Sequence, residues 1–140
     1  MQKIRSAYTR KAWIPLVVDV ILVIVFAATG RSSHDESLGP IAILGTAAPF
    51  LAALVIAWLI VRLTKLQPSA AWPPGVLIYA VTLTSGLALR ILFGATAAVP
   101  FILVTAGVLA VFLILPRLLL HSKRALGATS DVRDAEETTA

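Results

Sequence analysis

An aspartate set in a row of aliphatic side chains is the most chemically loaded position of this chain. Asp19 stands in Val17-Val18-Asp19-Val20-Ile21-Leu22. A carboxylate in the middle of a lipid-embedded helix costs about 2.5–3.5 kcal/mol, against about 0.3–0.6 kcal/mol gained by each strong apolar residue. The apolar residues from Ile14 to Phe26 offset that by roughly 3–7 kcal/mol, so the segment still inserts, with its carboxyl turned toward protein and there protonated, hydrogen-bonded or paired. Arg90 is the second such position. Tyr79, Thr82 and Gly86 precede it at helical spacing, giving one polar edge that Thr84 and Ser85 widen. At about 1.5 Å per residue, Asp19 lies roughly 9 Å inside the nearer membrane boundary, level with Thr82 and near Trp58, and Arg90 lies about 12 Å higher. Two clusters are therefore expected. Asp19, Trp58, Thr82 and Thr84 form a candidate proton or cation site, and Arg31, His34 and Arg90 form a candidate anion site at the outer mouth. The plainer reading of the same residues is polar packing between helices, with Arg90 snorkelling to the interface.

The elements that must position these groups are four long apolar stretches, near 13–29, 40–61, 74–92 and 99–120, each approaching the roughly 20 residues a helix needs to cross a bilayer. Nothing alternates with period two, and an open sheet would leave backbone groups unpaired in lipid. The predicted fold is all-α, a bundle of four transmembrane helices over residues 13–122, between a basic segment 1–12 and an unstructured acidic tail 123–140. Gly30 and Pro40 mark a helix end and a helix start, and the run from Gln67 to Gly75, with Pro68, Pro73 and Pro74, breaks any continuous helix and places Trp72 in the headgroup layer. Pro15 is harmless in a first turn, whereas Pro116 is expected to kink or end the last helix. Gly45, Ala48, Ala52, Gly86, Gly94 and Gly107 suit close helix packing.

Composition agrees: 59% of the 140 residues are hydrophobic and 14% charged, against about 45–50% and about 25% in soluble domains. The net charge of +5 is not gathered on a soluble face, so no nucleic-acid partner is expected. Instead Lys3, Arg5, Arg10 and Lys11, then Arg62 and Lys65, then Arg117, Lys123 and Arg124 fall on one side of a four-span topology, which the positive-inside rule makes the cytoplasm and the protein a multi-pass resident of the cell membrane. A cleaved signal peptide is the alternative for the first stretch; its length and Asp19 speak against it. There is no cysteine, hence no disulfide, thiol catalysis or Cys-held metal. His34 and His121 lie on opposite sides, and no hydrolase, phosphate-loop or metal motif occurs. No enzyme activity, metal or cofactor is expected; the expected partners are membrane lipid and either further copies of the chain or another membrane protein.

The ordered set Asp19, Phe26, Gly30-Arg31, His34, Pro49-Phe50, Trp58, Gly75, Gly86 and Arg90, with Phe101, resembles the small membrane proteins of domain-of-unknown-function family 3054. The resemblance spans about Asp19 to Arg117, with Ala57 standing where a glycine is expected before the tryptophan. It implies a four-helix fold and no mechanism. The residues alone suggest a small transport or permeation protein using Asp19 and Arg90, and an accessory or scaffold subunit is the alternative.

Overall fold

The computed structural model describes Lys3, residues 11–32 and residues 36–139, with 121–139 as backbone. Among the described residues the chain is all-helical. Helix α1 spans Trp13–Ser32, α2 Pro40–Leu63, α3 Val76–Leu92 and α4 Val99–Thr139, and a single wide turn, Ala71–Gly75, leads into α3. Four helical spans, Trp13–Ser32, Pro40–Leu63, Ala71–Leu92 (the turn together with α3) and Val99–Leu120, are long and apolar enough to cross a membrane. The turn contains a cis Trp72–Pro73 peptide bond and an extended Trp72. Trp13 and Trp72, both well exposed, stand at the starts of the first and third spans. We call this end of the bundle the terminal face, and the end carrying the Ser32–Pro40 and Leu92–Val99 connections the loop face.

The ends of α1 and α4 differ from those expected. α1 runs through Gly30 to Ser32. α4 does not stop at Pro116, and its backbone continues to Thr139 through the segment expected to be unstructured. Its Ala, Leu, Lys, Arg and Glu residues are good helix formers opposed chiefly by Gly127. Near Pro116 the Arg117 guanidinium donates to the Leu113 carbonyl, tying up a backbone acceptor beside the break in the ladder that proline causes.

Neighbouring helices run antiparallel, as cross-contacts in register show. Asp19 meets Trp58 at one end of the α1–α2 pair, and Phe26 packs edge-to-face on Phe50, centroids 5.3 Å apart, further along. On α3, Gly86 faces the Phe50 ring so closely that an added Cβ would lie 2.9 Å from Cε1. The core is apolar through its middle: Val23, Phe26, Phe50, Leu54, Ile78, Leu109 and Leu113. The four seams are unequal. α2 and α3 share the broadest contact, α1 and α4 the narrowest.

The two hairpins repeat one plan. Trp13 and Trp72, Pro15 and Pro74, Arg31 and Arg90, Thr46 and Thr105, and Leu54 and Leu113 are each 59 positions apart. Burial follows the same offset: Pro15, Asp19, Val23 and Ala27 on α1 answer to Pro74 in the turn before α3 and to Ile78, Thr82 and Gly86 on α3. Phe50, Leu54 and Trp58 on α2 answer to Leu109, Leu113 and Arg117 on α4. Hydrogen bonds that frame the two connections match as well. Glu36 N–H donates to the Arg31 carbonyl and Ala95 N–H to that of Arg90, both at 3.1 Å, while Ile43 to Gly39 and Ile102 to Ala98 are both 3.0 Å.

Of the small residues expected inside the bundle, Gly86 packs as foreseen. Gly45, Ala48, Ala52 and Gly107 point outward instead, and a Cβ at Gly45 or Gly107 would meet nothing within 4 Å. Gly94 closes α3 at φ +85°, a left-handed end that glycine adopts without steric cost.

Candidate functional site

Asp19 on α1 points into the bundle, where its carboxylate is held by side chains from α2 and α4. Arg117 donates through Nη1 to Oδ1 at 2.8 Å and through Nη2 to Oδ2 at 2.6 Å, and Trp58 Nε1 donates to Oδ2 at 2.9 Å. Both charged side chains are 0% exposed. This is the planar two-point recognition for which a guanidinium is suited and an ammonium is not. The fork is held in turn by its surroundings: Arg117 Nε donates to the Pro68 carbonyl at 3.0 Å, and Nη1 also donates to the Leu113 carbonyl. The connection between α2 and α3 is thereby pinned to α4.

Local sequence makes room for this arrangement. A Cβ at Gly75 would lie 2.8 Å from Arg117 Cδ and 3.0 Å from the Ala70 carbonyl, so a bare backbone is what lets the stem of Arg117 pass the start of α3. Asp19 lies on the buried face of α1 with Pro15, Val23 and Ala27, at intervals of four that a helix places in one row. Two opposite charges taken out of water are tolerable only when geometry and extra hydrogen bonds offset their desolvation, and removing one partner is costly. Here every carboxylate oxygen has a donor.

The loop face carries a different use of arginine. Arg31 Nε donates to the Ser37 carbonyl at 2.7 Å, its Nη1 donates to Thr46 Oγ1 at 3.0 Å and pairs with Glu36 at 2.9 Å. Arg90 Nε donates to the Thr96 carbonyl at 3.0 Å, and its guanidinium lies 4.4 Å above the Phe101 ring centroid. Each arginine thus pins the loop that follows its own helix.

Of the proposed inner cluster, Asp19 and Trp58 meet as expected. Thr82 is buried in the core with no hydrogen-bond partner. Thr84 is exposed and bonds to the Ala80 carbonyl of its own helix, so it does not belong to the cluster: two positions along a helix turn a side chain to another face. Of the proposed outer cluster, Arg31 and Arg90 sit at equivalent helix ends, each holding the loop that follows, and His34 lies outside the described residues. Arg117 is the residue that sequence reasoning misplaced. It was counted among the cytoplasmic cations, yet it is followed by Leu118, Leu119 and Leu120. A cation with apolar residues on both sides lies within a span rather than beyond it. Among the described residues no group of His, Cys, Asp and Glu could hold a metal ion.

No curated protein and no solved structure matches the chain. A family model described as "Protein of unknown function (DUF3054)" matches residues 16–120, from the first helix through the Arg117 end of the fourth span. The chain is a member of that family, with four helical spans long and apolar enough to cross a membrane.

Proposed function

We propose that this is a small, non-enzymatic transport or permeation protein of the cell membrane, its chain ends cytoplasmic, in which the Asp19–Arg117 pair is the gate at the terminal face. The observation that carries this reading is the inequality of the seams between the two hairpins. Hairpin α1–α2 meets hairpin α3–α4 twice: along α2–α3, where contact is broad, and along α4–α1, where it is narrow and closed by the buried ion pair. Both hairpins start and end on the same face, the arrangement of parallel repeats, related by an axis along the membrane normal, whose rocking against each other underlies transport in larger families. A broad seam suits a hinge. A narrow seam held by charges suits a gate, because protonation or a competing ion changes the balance there and leaves an apolar seam untouched. Asp19 is thus a coupling carboxylate that works by leaving Arg117.

The experiment is ion flux in proteoliposomes made with the purified full-length chain, with a pH-sensitive dye inside and an imposed proton gradient. Wild type dissipates the gradient faster than protein-free vesicles at a rate that depends on pH, and Asp19→Asn, checked for folding, loses that pH dependence because its seam stands open at every pH. Wild-type vesicles as tight as empty ones would overturn the reading.

A second reading, an accessory subunit, is favoured by a separate observation: Gly45, Ala48 and Ala52 line the outside of α2 and are exposed in the single chain. Such a surface suits close approach of another helix, whether from a second copy or from another protein. Native mass spectrometry of the protein drawn from its own membrane separates these. A stoichiometric second polypeptide supports the accessory subunit, and copies of this chain alone support a self-assembled channel.

A further inference from the structure

The first hairpin contains a filled version of a site that the second hairpin leaves open. In the first, Arg31 holds the Ser37 carbonyl through Nε, the Thr46 hydroxyl through Nη1 and the Glu36 carboxylate at 2.9 Å. In the second, the residues 59 positions on are Arg90, Thr96, Thr105 and, in the place of Glu36, Ala95. The hydrogen bonds that frame the two loops are the same: Glu36 and Ala95 donate to the carbonyls of Arg31 and Arg90 at the same distance, and both Nε atoms hold the carbonyl six residues further along. What is missing is the acid. Among the described residues Arg90 forms no ion pair, and Thr105, fully buried, has a hydroxyl without a hydrogen-bond partner. Its counterpart Thr46 is the acceptor for Arg31.

We infer that the second hairpin binds one oxyanion, a carboxylate or a phosphate, at Arg90 on the loop face, where the first hairpin places its own Glu36 carboxylate. The guanidinium is prepared for this. Nε is committed to the Thr96 carbonyl and the plane rests on Phe101, so the fork is oriented while its terminal nitrogens remain available for a two-point contact. The counterpart of Phe101 in the first hairpin is Ala42, so the ring supplies in the second the support that Thr46 supplies in the first. Thr105, one helical turn below Phe101 on the same helix, lies at the register from which Thr46 meets Arg31; its hydroxyl adds a donor or acceptor for the bound group or for Arg90 itself. The same chemistry is presented by a free anion and by an anionic lipid headgroup. The inference stands on the loop geometry and does not depend on the gate at the other face.

The test is the melting temperature of the full-length chain in two arms. In neutral detergent, inorganic phosphate or acetate is titrated against chloride at constant ionic strength. In nanodiscs, phosphatidylglycerol is compared with phosphatidylcholine. A saturable rise of a few degrees in the first arm identifies a free anion, and a rise confined to phosphatidylglycerol identifies a headgroup. Ala95→Glu supplies the acid within the chain, as in the first hairpin. It raises the melting temperature without ligand and removes the rise in whichever arm showed it. Arg90→Gln removes the rise without the compensating gain. No rise in either arm, or the same rise in Ala95→Glu as in wild type, would overturn the site.

Discussion

The two seams between the hairpins present equivalent positions filled with opposite chemistry. Where α2 meets α3 the residues are Trp58 and Ile78, and the contact is broad and apolar; where α4 meets α1 the counterparts, 59 positions away, are Arg117 and Asp19. One backbone plan therefore carries an oily joint on one side and a charged one on the other. Apolar packing between helices in lipid is non-directional and adds up over area. A buried ion pair is the reverse: local, directional and all-or-none, because losing either partner strands a charge in a medium that cannot solvate it. The broad seam is accordingly the part of the molecule that tolerates graded change. On the gate proposal, the narrow one has two states.

The largest effect comes from breaking the charged seam on one side only. Asp19→Ala strands Arg117, and loss of about 3–5 kcal/mol is expected in reversible unfolding in mixed micelles; a loss under about 1 kcal/mol would mean that the pair does not hold the seam. Making the charged seam apolar sharpens the point. Asp19→Ile combined with Arg117→Met removes both charges, and its stability is expected to equal or exceed that of wild type, since paired removal of buried charges is often neutral or stabilising by about 1–4 kcal/mol. Proteoliposome flux is nonetheless lost in that variant if the pair is a gate. On the apolar side, Gly86→Ala forces a methyl against Phe50, with an expected cost of about 1–3 kcal/mol, and Phe50→Leu in the same chain recovers part of it. The smallest effect is at the helix ends. Lys65 closes α2 at φ 57° while Gly94 closes α3 at φ +85° in the same kind of turn, so Lys65→Gly is expected to stabilise by about 1 kcal/mol, read from the same unfolding curve.

The four spans were legible because apolar length is a property of single segments, and the starts at Pro40 and Val99 follow from local backbone chemistry. Asp19 and Trp58 were legible as neighbours because antiparallel helices of known rise fix heights. Their partner was not. Height alone cannot rank Arg90 against Arg117, and the positive-inside rule draws every arginine near a span end out of the membrane, although Pro68 and Leu113 supply carbonyls that let Arg117 stay within. The outward turn of Gly45 and Ala52 was hidden for a related reason. Small residues mark a close approach without saying whether the approaching helix belongs to the same chain. The 59-residue repeat was present in Trp13 and Trp72, Pro15 and Pro74, and Arg31 and Arg90, but the positions that carry chemistry had diverged most, Asp19 to Ile78 and Glu36 to Ala95.

The claim that the charged seam is the one that opens is tested most directly by paired spin labels on the cysteine-free chain. One pair at exposed Val17 and Leu118 spans α1 and α4, and a control pair at exposed Leu59 and Ala80 spans α2 and α3. In wild type both distance distributions are expected to be narrow; in Asp19→Asn the α1–α4 distribution lengthens and broadens while the α2–α3 distribution stays as it was. Equal broadening of both pairs, or of neither, would contradict the account.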